Sequence, residues 1–285
     1  MSRLVLLCCC AATLGAMAWA QFDPQQVRRF RSRQRDADVF VDRNGVPDWE
    51  VDRDHPEDFF TFVRIRYNQF GGAREKWRTD YPDSDLNFSY RLQQLTALKV
   101  NPNPIVLELA DPRLFDYPFI YFAEPGGWGG APGTGLNFSE DEVAALRRYL
   151  ECGGFAMFDD FWGEAEWDEF YREVKRVLPD RDFVDLDREH PIFHCVYDLR
   201  ETDNLQVPAI NVALAGFTYE REDAKEVHYR AIFDDEGRIM VMICHNTDLG
   251  DGWEREGENE GYFRNFSEKI AYPLGINIIF YAMTR

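Results

Sequence analysis

The sequence predicts an α/β fold, in which a mostly parallel sheet is flanked by helices and carries an antiparallel addition. Short apolar runs alternate along the chain with longer amphipathic segments, a pattern typical of strands connected by helices. The central run, residues 155–158, is followed at once by Asp159 and Asp160. Open α/β sheets present ligand-binding residues in this way, outside the carboxyl ends of their strands. Two later apolar runs flank the turn sequence DDEG at residues 234–237, which predicts an antiparallel hairpin.

The chain is strongly acidic. Its 285 residues include 51 Asp and Glu against 32 Lys and Arg, which gives a formal net charge of −19 at pH 7. This charge repels the phosphates of nucleic acids and of anionic membrane surfaces, so neither is expected as a partner. Cations and neutral polar polymers, such as carbohydrates, remain as ligand classes.

The amino terminus has the pattern of a secretory signal peptide over residues 1–20. Arg3 supplies the positive start, residues 4–18 are apolar, and the sequence Ala18-Trp19-Ala20 fits a small-x-small cleavage site. We therefore predict an exported protein, periplasmic or extracellular, whose mature chain has no transmembrane segment.

A polar linker or arm is predicted for residues 21–58, because this stretch mixes both charge signs and has few apolar positions. Residues 59–285 are predicted to form a single α/β domain. Its first strand, residues 59–67, has Arg64 and Arg66 in alternation with apolar neighbours, the period of a strand.

The remaining elements follow from local patterns. The helix over residues 140–152 has the clearest start, because Ser139 and Glu142 form a capping box, and Gly153 suits its end. The other helices are predicted at residues 86–98, 166–178 and 267–285, the last with a kink at Pro273. The other strands are predicted at residues 105–109, 119–122, 227–233 and 238–245, and residues 246–263 are predicted to form a loop.

Three cysteines lie outside the predicted signal peptide, at Cys152, Cys195 and Cys244. An odd count with wide spacing does not indicate a disulfide framework. Each has apolar neighbours, so we expect buried free thiols. One disulfide with one remaining thiol is the alternative.

Several long motifs resemble those of domain-of-unknown-function family 4159, a bacterial family that is often exported or membrane-linked and has no established activity. They are FTFVRIRY, WRTDYPDSDLNFSYRLQQLT, FDYPFIYFAEPG, GGFAMFDDFWG, HPIFHCVYDL, ICHNTDLGDGWE and YPLGINIIFYAMTR. The resemblance covers residues 59–285. It implies a fold similar to that of class I glutamine amidotransferases, which is flavodoxin-like.

In those amidotransferases a glycine-rich turn follows one strand, and a nucleophilic Cys occupies a tight turn after the next. Residues 124–127 resemble the first turn, and residues 155–163 resemble the nucleophile strand and its turn. That second turn carries Asp159 and Asp160 in place of a Cys. The departure implies that thiolate-based amidotransfer is lost.

The candidate site is the sheet edge at which these turns would meet. We predict Asp159, Asp160 and His245 as candidate catalytic residues. The candidate ligand-binding residues are Glu124, Trp128, Trp162, Asn246 and Asp248. Carboxylates crowded there would raise one another's proton affinity or hold a cation. No cofactor is expected, and no metal ligands are assigned.

A purely structural interpretation stays open for the same residues. Asp159 and Asp160 could cap the next helix, and Trp162 could belong to the core. The polar residues after the WRTDYP motif favour a network that fixes a loop to a helix, formed by Asp83, Asp85, Asn87 and Arg91.

Two functions follow from these observations. The first is a non-catalytic binding or assembly domain of the cell envelope, with a carbohydrate or protein partner, because the nucleophile is missing and export is predicted. The second is a carboxylate-based hydrolase acting on an envelope or extracellular glycan, because two carboxylates lie where ligands bind.

Overall fold

Among the described residues, seven strands form one sheet. Six of them correspond to predicted strands, and the short strand Val184–Asp185 was not predicted. The structure is a computed structural model that describes residues 42–51, 58–67, 75–127 and 134–284. The strands are β1 Val63–Ile65, β2 Ile105–Leu107, β3 Phe119–Ala123, β4 Phe155–Phe161, β5 Val184–Asp185, β6 His228–Phe233 and β7 Ile239–His245. Their order across the sheet is β2-β1-β3-β4-β7-β6-β5. The first five of these run parallel, and β6 and β5 are added antiparallel, which confirms the predicted fold class.

The helices lie between the strands and at the end of the chain. They are α1 Asp83–Leu95, α2 Glu140–Glu151, α3 Gly163–Val177, α4 Ile210–Leu214, α5 Leu249–Glu254, α6 Glu260–Tyr262 and α7 Tyr272–Thr284. A π-helical segment, Phe263–Ala271, connects α6 to α7, so the closing helix begins earlier than the sequence predicts. Short 3-10 turns occur at Lys76–Arg78, Pro112–Asp116 and Pro191–Phe193.

Helices cover both faces of the sheet. Alternate residues of β3 point to opposite faces, as the pleat of a strand requires. On one face, Tyr121 packs in a cluster that includes Phe88 of α1 and Trp253 of α5. On the other, Phe122 packs in a cluster that includes Phe170 of α3. Both faces of the sheet are therefore buried. Polar residues can instead cluster where the strands end.

The predicted end of β4 is wrong, because the strand continues through Asp159 and Asp160 to Phe161. Its register against β7 shifts between Phe158 and Phe161, which is the signature of a bulge. Helix α3 also begins earlier than predicted, at Gly163. Both aspartates thus lie in a strand end that is directly joined to a helix.

The predicted loop over residues 246–263 is wrong as well, because it contains α5. Asp248 caps this helix by accepting the N–H of Asp251 at 2.7 Å. Gly250 and Gly252 suggest a loop in the sequence, but here they allow close packing. A Cβ on Gly252 would lie 2.6 Å from the Cβ of Ala271.

Arg64 is buried, although it alternates with apolar residues in the same way as the partly exposed Arg66. Its guanidinium lies 2.5 Å from Asp85 of α1, and both side chains are 0% exposed. Arg64 also donates to the backbone carbonyls of Trp77 and Thr79, each at 2.9 Å. The ion pair explains how a charged side chain is accommodated beneath a helix.

The cysteine prediction is correct only in part. Cys152, Cys195 and Cys244 are all free thiols, but only Cys244 is buried, while Cys152 and Cys195 are exposed. Cys152 ends α2 and precedes β4, so apolar neighbours in the sequence do not bury it.

No helix in the described part of the chain is long and apolar enough to cross a membrane. The predicted signal peptide, residues 1–20, and the candidate ligand-binding residue Trp128 lie outside the described residues.

Candidate functional site

The carboxyl ends of β3, β4 and β7 meet at one edge of the sheet, because these strands are parallel neighbours. Backbone hydrogen bonds connect the segments that follow them. Glu124 donates its N–H to the carbonyl of Asp159 at 3.0 Å, and Asp160 donates its N–H to the carbonyl of Thr247 at 3.2 Å. The structure thus brings the two turns that the sequence analysis singled out together with the segment that follows β7. We call these three segments, together with the Asp80 loop whose carboxylate reaches them, the carboxyl edge.

Left-handed backbone conformations concentrate at the carboxyl edge. Glu124, Asp160 and Asn246 have φ values of 47°, 61° and 61°, and Asp80 has a φ of 63°. Among the described non-glycine residues, Asn44 is the one other with a positive φ. Each such conformation costs about 1–3 kcal/mol and persists where the surroundings enforce it. All four edge residues are polar.

Asp159 is fully buried and is held by two hydrogen bonds. Its Oδ2 accepts from the hydroxyl of Tyr121 at 3.0 Å and from the N–H of Gly250 at 3.0 Å. Its Oδ1 is buried without a hydrogen-bond partner. Burial raises the pKa of Asp159 to about 7, against the effect of its hydrogen bonds, which lower it.

Asp160 lies beside it on the same strand end. Its Oδ1 accepts the indole N–H of Trp162 at 3.0 Å. Trp162 itself is 4% exposed, and its backbone N–H donates to Glu166 at 2.9 Å. The ring of Trp162, which was predicted to contact a ligand, is thus buried in the core. Its indole N–H fixes the Asp160 carboxylate.

Asp80 and Asp248 complete a compact group with Asp160. One carboxylate oxygen from each lies within 4.8 Å of the others, and all three side chains are buried. The N–H of Asp251 bonds the Oδ1 of Asp248, whereas the buried Oδ2 of Asp80 has no hydrogen-bond partner. We call these three residues the aspartate triad.

The aspartate triad is electrostatically unfavourable as an ionised group. Burial is the largest effect and raises the pKa of each carboxyl well above its ordinary value. Repulsion from neighbouring carboxylates adds to it, from Glu254 and Asp251 at Asp80 and from Glu124 and Glu220 at Asp160. At Asp248 the strongest repulsion comes from the two other members of the triad.

Glu124 lies at the rim of this group. It accepts the hydroxyl of Thr79 at 2.6 Å, and the ammonium of Lys76 lies 3.9 Å away. Lys76 also donates to the carbonyl of Gly126 at 2.8 Å. Glu124 is thus the rim carboxylate that has a basic side chain nearby.

His245 and Asn246 are engaged by neighbouring segments. Arg230 donates to the Nδ1 of His245 at 3.0 Å, and the Nε2–H donates to the carbonyl of Gly163 at 3.1 Å. Asn246 accepts the N–H of Gly163 at 2.8 Å and donates to the carbonyl of Glu226 at 2.7 Å. Both side chains therefore fix the start of α3, and their predicted roles toward a ligand stay predictions.

We predict that His245 keeps its neutral form throughout the physiological pH range. Burial, together with Arg230 and His228 on β6, lowers its pKa from 6.5 to about 3, although the Gly163 carbonyl and Asp223 act in the opposite direction. Its ring resonances should therefore not shift between pH 8 and pH 5 in an NMR titration of the folded chain.

The same ring in the urea-unfolded chain should titrate near about 6.5. Because the unfolded chain binds this proton first, the contribution of His245 to stability is complete above that pH and is lost as the pH falls toward 3. A titration midpoint above pH 6 in the folded protein would contradict the assigned tautomer and its burial.

Sequence reasoning missed several carboxylates of this edge. Asp80 stands in the WRTDYP motif, where the sequence suggested only a loop-fixing role. The others are Asp251, Glu254 and Glu220. Burial, together with repulsion from Asp251, raises the pKa of each of the two glutamates to about 7. The usable signal for Asp251 and Glu254 was the acidic, glycine-containing sequence DLGDGWE, which was predicted to be a loop.

One family model matches the chain over a range that includes almost all of the helices and strands described above. The family model described as "Domain of unknown function (DUF4159)" matches residues 61–283. This range includes every residue of the carboxyl edge described above. No curated protein matches the chain.

Proposed function

The chain belongs to the DUF4159 family, and we propose that its domain is a non-catalytic binding or assembly module of the bacterial cell envelope. Export through the predicted signal peptide at residues 1–20 is part of this proposal. The ligand is taken at the carboxyl edge of the sheet, the position at which open α/β sheets bind ligands.

The observation that carries the proposal is the convergence of left-handed polar residues at this edge. Glu124, Asp160, Asn246 and Asp80 come from four separate segments of the chain. None is a glycine, and the backbone cost is greatest at Glu124, because Asp and Asn adopt a positive φ more readily. A fold that only required tight turns would be served by glycine at these positions. Strain kept on polar side chains at a sheet edge supports a binding role.

The absence of a thiolate at the edge supports a non-catalytic role. Asp160 occupies the turn that resembles the nucleophile turn of amidotransferases. Cys244 lies inside β7, where burial raises its pKa well above the ordinary value. Cys152 precedes β4, at the opposite end of that strand. Neither of these two cysteines is therefore presented at the edge as a nucleophile.

A neutral or cationic polysaccharide is the ligand class that fits this edge best. Carboxylates accept hydrogen bonds from sugar hydroxyls and attract amino groups. The net charge of −19 disfavours phosphate-rich polymers. A protein partner is the other outcome that the binding experiment can give.

We expect the chain from Gln21 onward to co-sediment with purified peptidoglycan sacculi. The variant Asp160→Asn should reduce the bound fraction about tenfold, because one lost charged hydrogen bond is worth about 1.5 kcal/mol or more. Asparagine tolerates a positive φ, so the backbone of the turn is preserved. Bound protein is measured by quantitative immunoblotting of the pellet.

The matched control is Asp203→Asn, which removes an exposed carboxylate outside the edge. Its bound fraction should equal that of the wild type. Equal retention of Asp160→Asn and the wild type would contradict a ligand site at the edge. No sedimentation of the wild type would direct the search to protein partners.

The alternative function is a carboxylate-based glycan hydrolase. It is favoured by the Asp159 carboxyl, whose Oδ1 is buried without a hydrogen-bond partner. Burial raises the pKa of this carboxyl to about 7, the range that a general acid at neutral pH requires. Glycosidases, however, hold two carboxyl groups about 5–5.5 Å or about 6.5–9.5 Å apart on either side of the bond that is cleaved, where the substrate can reach both. Asp159 is 0% exposed and Asp160 is 7% exposed, which argues against this role. Release of soluble sugar from the sacculi, lost in Asp159→Asn, would establish the hydrolase instead.

A further inference from the structure

The aspartate triad has the dimensions and chemistry of a cation site. We propose that Asp80, Asp160 and Asp248 bind one divalent cation of the calcium type at the carboxyl edge. This inference rests on the proposed function, since it names the first ligand of the same sheet edge. It goes beyond the sequence, from which no metal ligands were assigned.

Distance is the first argument. Two oxygens bound to one ion can be separated by at most twice the metal–oxygen distance, which is about 4.6–5.2 Å for Ca²⁺ and about 4.0–4.2 Å for Mg²⁺. The triad offers one oxygen from each carboxylate, all within 4.8 Å of one another. Both ions can meet this bound. Calcium is favoured by the ligand set, because three protein carboxylates around one ion are typical of calcium, whereas magnesium usually keeps several waters and binds through one or two carboxylates.

An unpartnered carboxylate is the second and independent argument. The Oδ2 of Asp80 is buried without a hydrogen bond, and its residue is 9% exposed. A Cβ on Gly250 would lie 2.5 Å from this oxygen and 3.4 Å from the Oδ1 of Asp248, so both oxygens face the same glycine. A buried carboxylate oxygen without a donor costs free energy that a cation would recover.

The other triad members also keep an oxygen for a ligand. Asp160 uses Oδ1 for the Trp162 indole, and Asp248 uses Oδ1 for the N–H of Asp251. Among the described residues, no hydrogen bond reaches the second oxygen of either carboxylate. These two bonds fix the orientation of the carboxylates before a cation arrives, which reduces the ordering that binding requires.

A neighbouring acidic group differs from the triad in having a basic partner. Asp80, Asp251 and Glu254 also have oxygens within 4.8 Å of one another. In that group, however, Arg255 lies 3.0 Å from Asp251 and 2.7 Å from Glu254. The guanidinium already supplies positive charge there. Among the described residues, no basic side chain forms an ion pair with Asp160 or Asp248, so the triad is the group that needs a cation.

We expect Ca²⁺ to raise the melting temperature of the chelator-treated full chain. At about one hundred times its dissociation constant, a ligand of the folded state should shift the midpoint by about 5–10 °C for a domain of this size. Asp80→Asn should lose most of this shift, because asparagine supplies no charge while it tolerates the positive φ. The exposed-site variant Asp203→Asn should show the wild-type shift.

A second comparison separates a cation site from a purely structural acid cluster. In EDTA, Asp160→Asn should melt at the same temperature as the wild type or above it, because it removes one of the crowded negative charges. In Ca²⁺ the order should reverse. If the carboxyls instead stabilise the fold by hydrogen bonding to one another, Asp160→Asn melts lower in both buffers, and that result would overturn the proposal.

Two other results would also overturn it. One is the absence of any shift with Ca²⁺, Mg²⁺ or Mn²⁺ in the wild type, confirmed by calorimetric titration of the metal alone. The other is a shift of equal size in the wild type and Asp80→Asn, which would locate the ion elsewhere on the acidic surface. Neither measurement contains a glycan. A calcium shift without sacculus binding would therefore reject the glycan ligand of the proposed function and not the cation. Sacculus binding that survives EDTA, without a shift, would reject the cation alone.

Discussion

Replacing Arg64 with methionine should lower the free energy of unfolding by about 3–5 kcal/mol, the cost of leaving one member of a buried ion pair without its partner. Arg64 and Asp85 are both 0% exposed and lie 2.5 Å apart. The guanidinium also donates to Ser84 and to the carbonyls of Trp77 and Thr79, each at 2.9 Å. Methionine fills the space of the stem but supplies none of these donors.

Arg66, two residues after Arg64 in the sequence, is the matched control. Arg66 pairs with Glu108 at 2.7 Å, but the two side chains are 29% and 56% exposed. Arg66→Met should therefore cost less than about 1 kcal/mol, as exposed ion pairs usually do. Urea unfolding followed by circular dichroism measures both variants. Equal losses in the two variants would show that the buried pair contributes no more than the exposed one.

A double variant tests the origin of the loss. In Arg64→Met with Asp85→Leu, no charge is left unpaired, so a substantial part of the stability should return. Full recovery is not expected, because the carbonyls of Trp77 and Thr79 still lack their donor. Those carbonyls precede Asp80 in the chain, so Arg64 also fixes the loop that carries Asp80. The buried Oδ2 of Asp80, which has no hydrogen-bond partner, is a main argument for the cation site.

Arg64 also marks a limit of sequence reasoning. The alternation along the first strand correctly indicated a strand. The predicted network that fixes the WRTDYP loop is correct for Asp85 and wrong for Asn87 and Arg91, because Asn87 donates to the carbonyl of Trp253 and Arg91 pairs with Glu256. Neither pattern showed that Arg64 is the centre of that network, because its partner lies 21 positions away. A period of two assigns a side chain to a face, but it cannot tell whether a helix covers that face.

Elements with local signals were predicted well. The capping box at the start of α2 is present as expected, with Ser139 accepting the N–H of Glu142 at 3.2 Å and Glu142 accepting the N–H of Ser139 at 2.8 Å. The hairpin of β6 and β7 was also predicted correctly from its turn. Both signals depend on residues a few positions apart, so tertiary contacts are not needed to recognise them.

The sequence predicted those residues of the carboxyl edge that directly follow a strand, and it missed Asp80, which lies in a loop. Asp159 and Asp160 directly follow an apolar run, so their place at the edge could be read from neighbours in the sequence. Asp80 belongs to a loop whose position depends on Arg64 and α1. Its approach to Asp160 is a tertiary contact between segments far apart in the chain, and no local pattern encodes it.

Replacing Trp253 with alanine should lower the free energy of unfolding by about 3–5 kcal/mol, the usual cost of deleting a buried aromatic side chain. Trp253 is 1% exposed, and its ring centroid lies 4.5 Å from that of Phe88 and 5.8 Å from that of Tyr121. Its indole N–H donates to the carbonyl of Ala271 at 2.9 Å. A Cβ on Gly275 would lie 2.8 Å from the Trp253 ring, so α7 is shaped to receive it.

Two further variants separate packing from hydrogen bonding. Trp253→Phe keeps most of the ring and loses the indole donor, so it should cost about 1–2 kcal/mol. Trp49→Ala removes a half-buried indole that donates to Val100 at 2.8 Å, and it should also cost less than Trp253→Ala. All three are compared by urea unfolding of the full chain.

The result bears directly on α5, which the sequence predicted to be a loop. This helix has six residues, too few to be stable by itself. Its stability must therefore come from tertiary packing, to which Trp253 contributes the largest buried side chain of the helix. If Trp253→Ala were as mild as Trp49→Ala, α5 would not be anchored through its indole. Asp248 and Gly250 would then need another explanation for their fixed positions at the carboxyl edge.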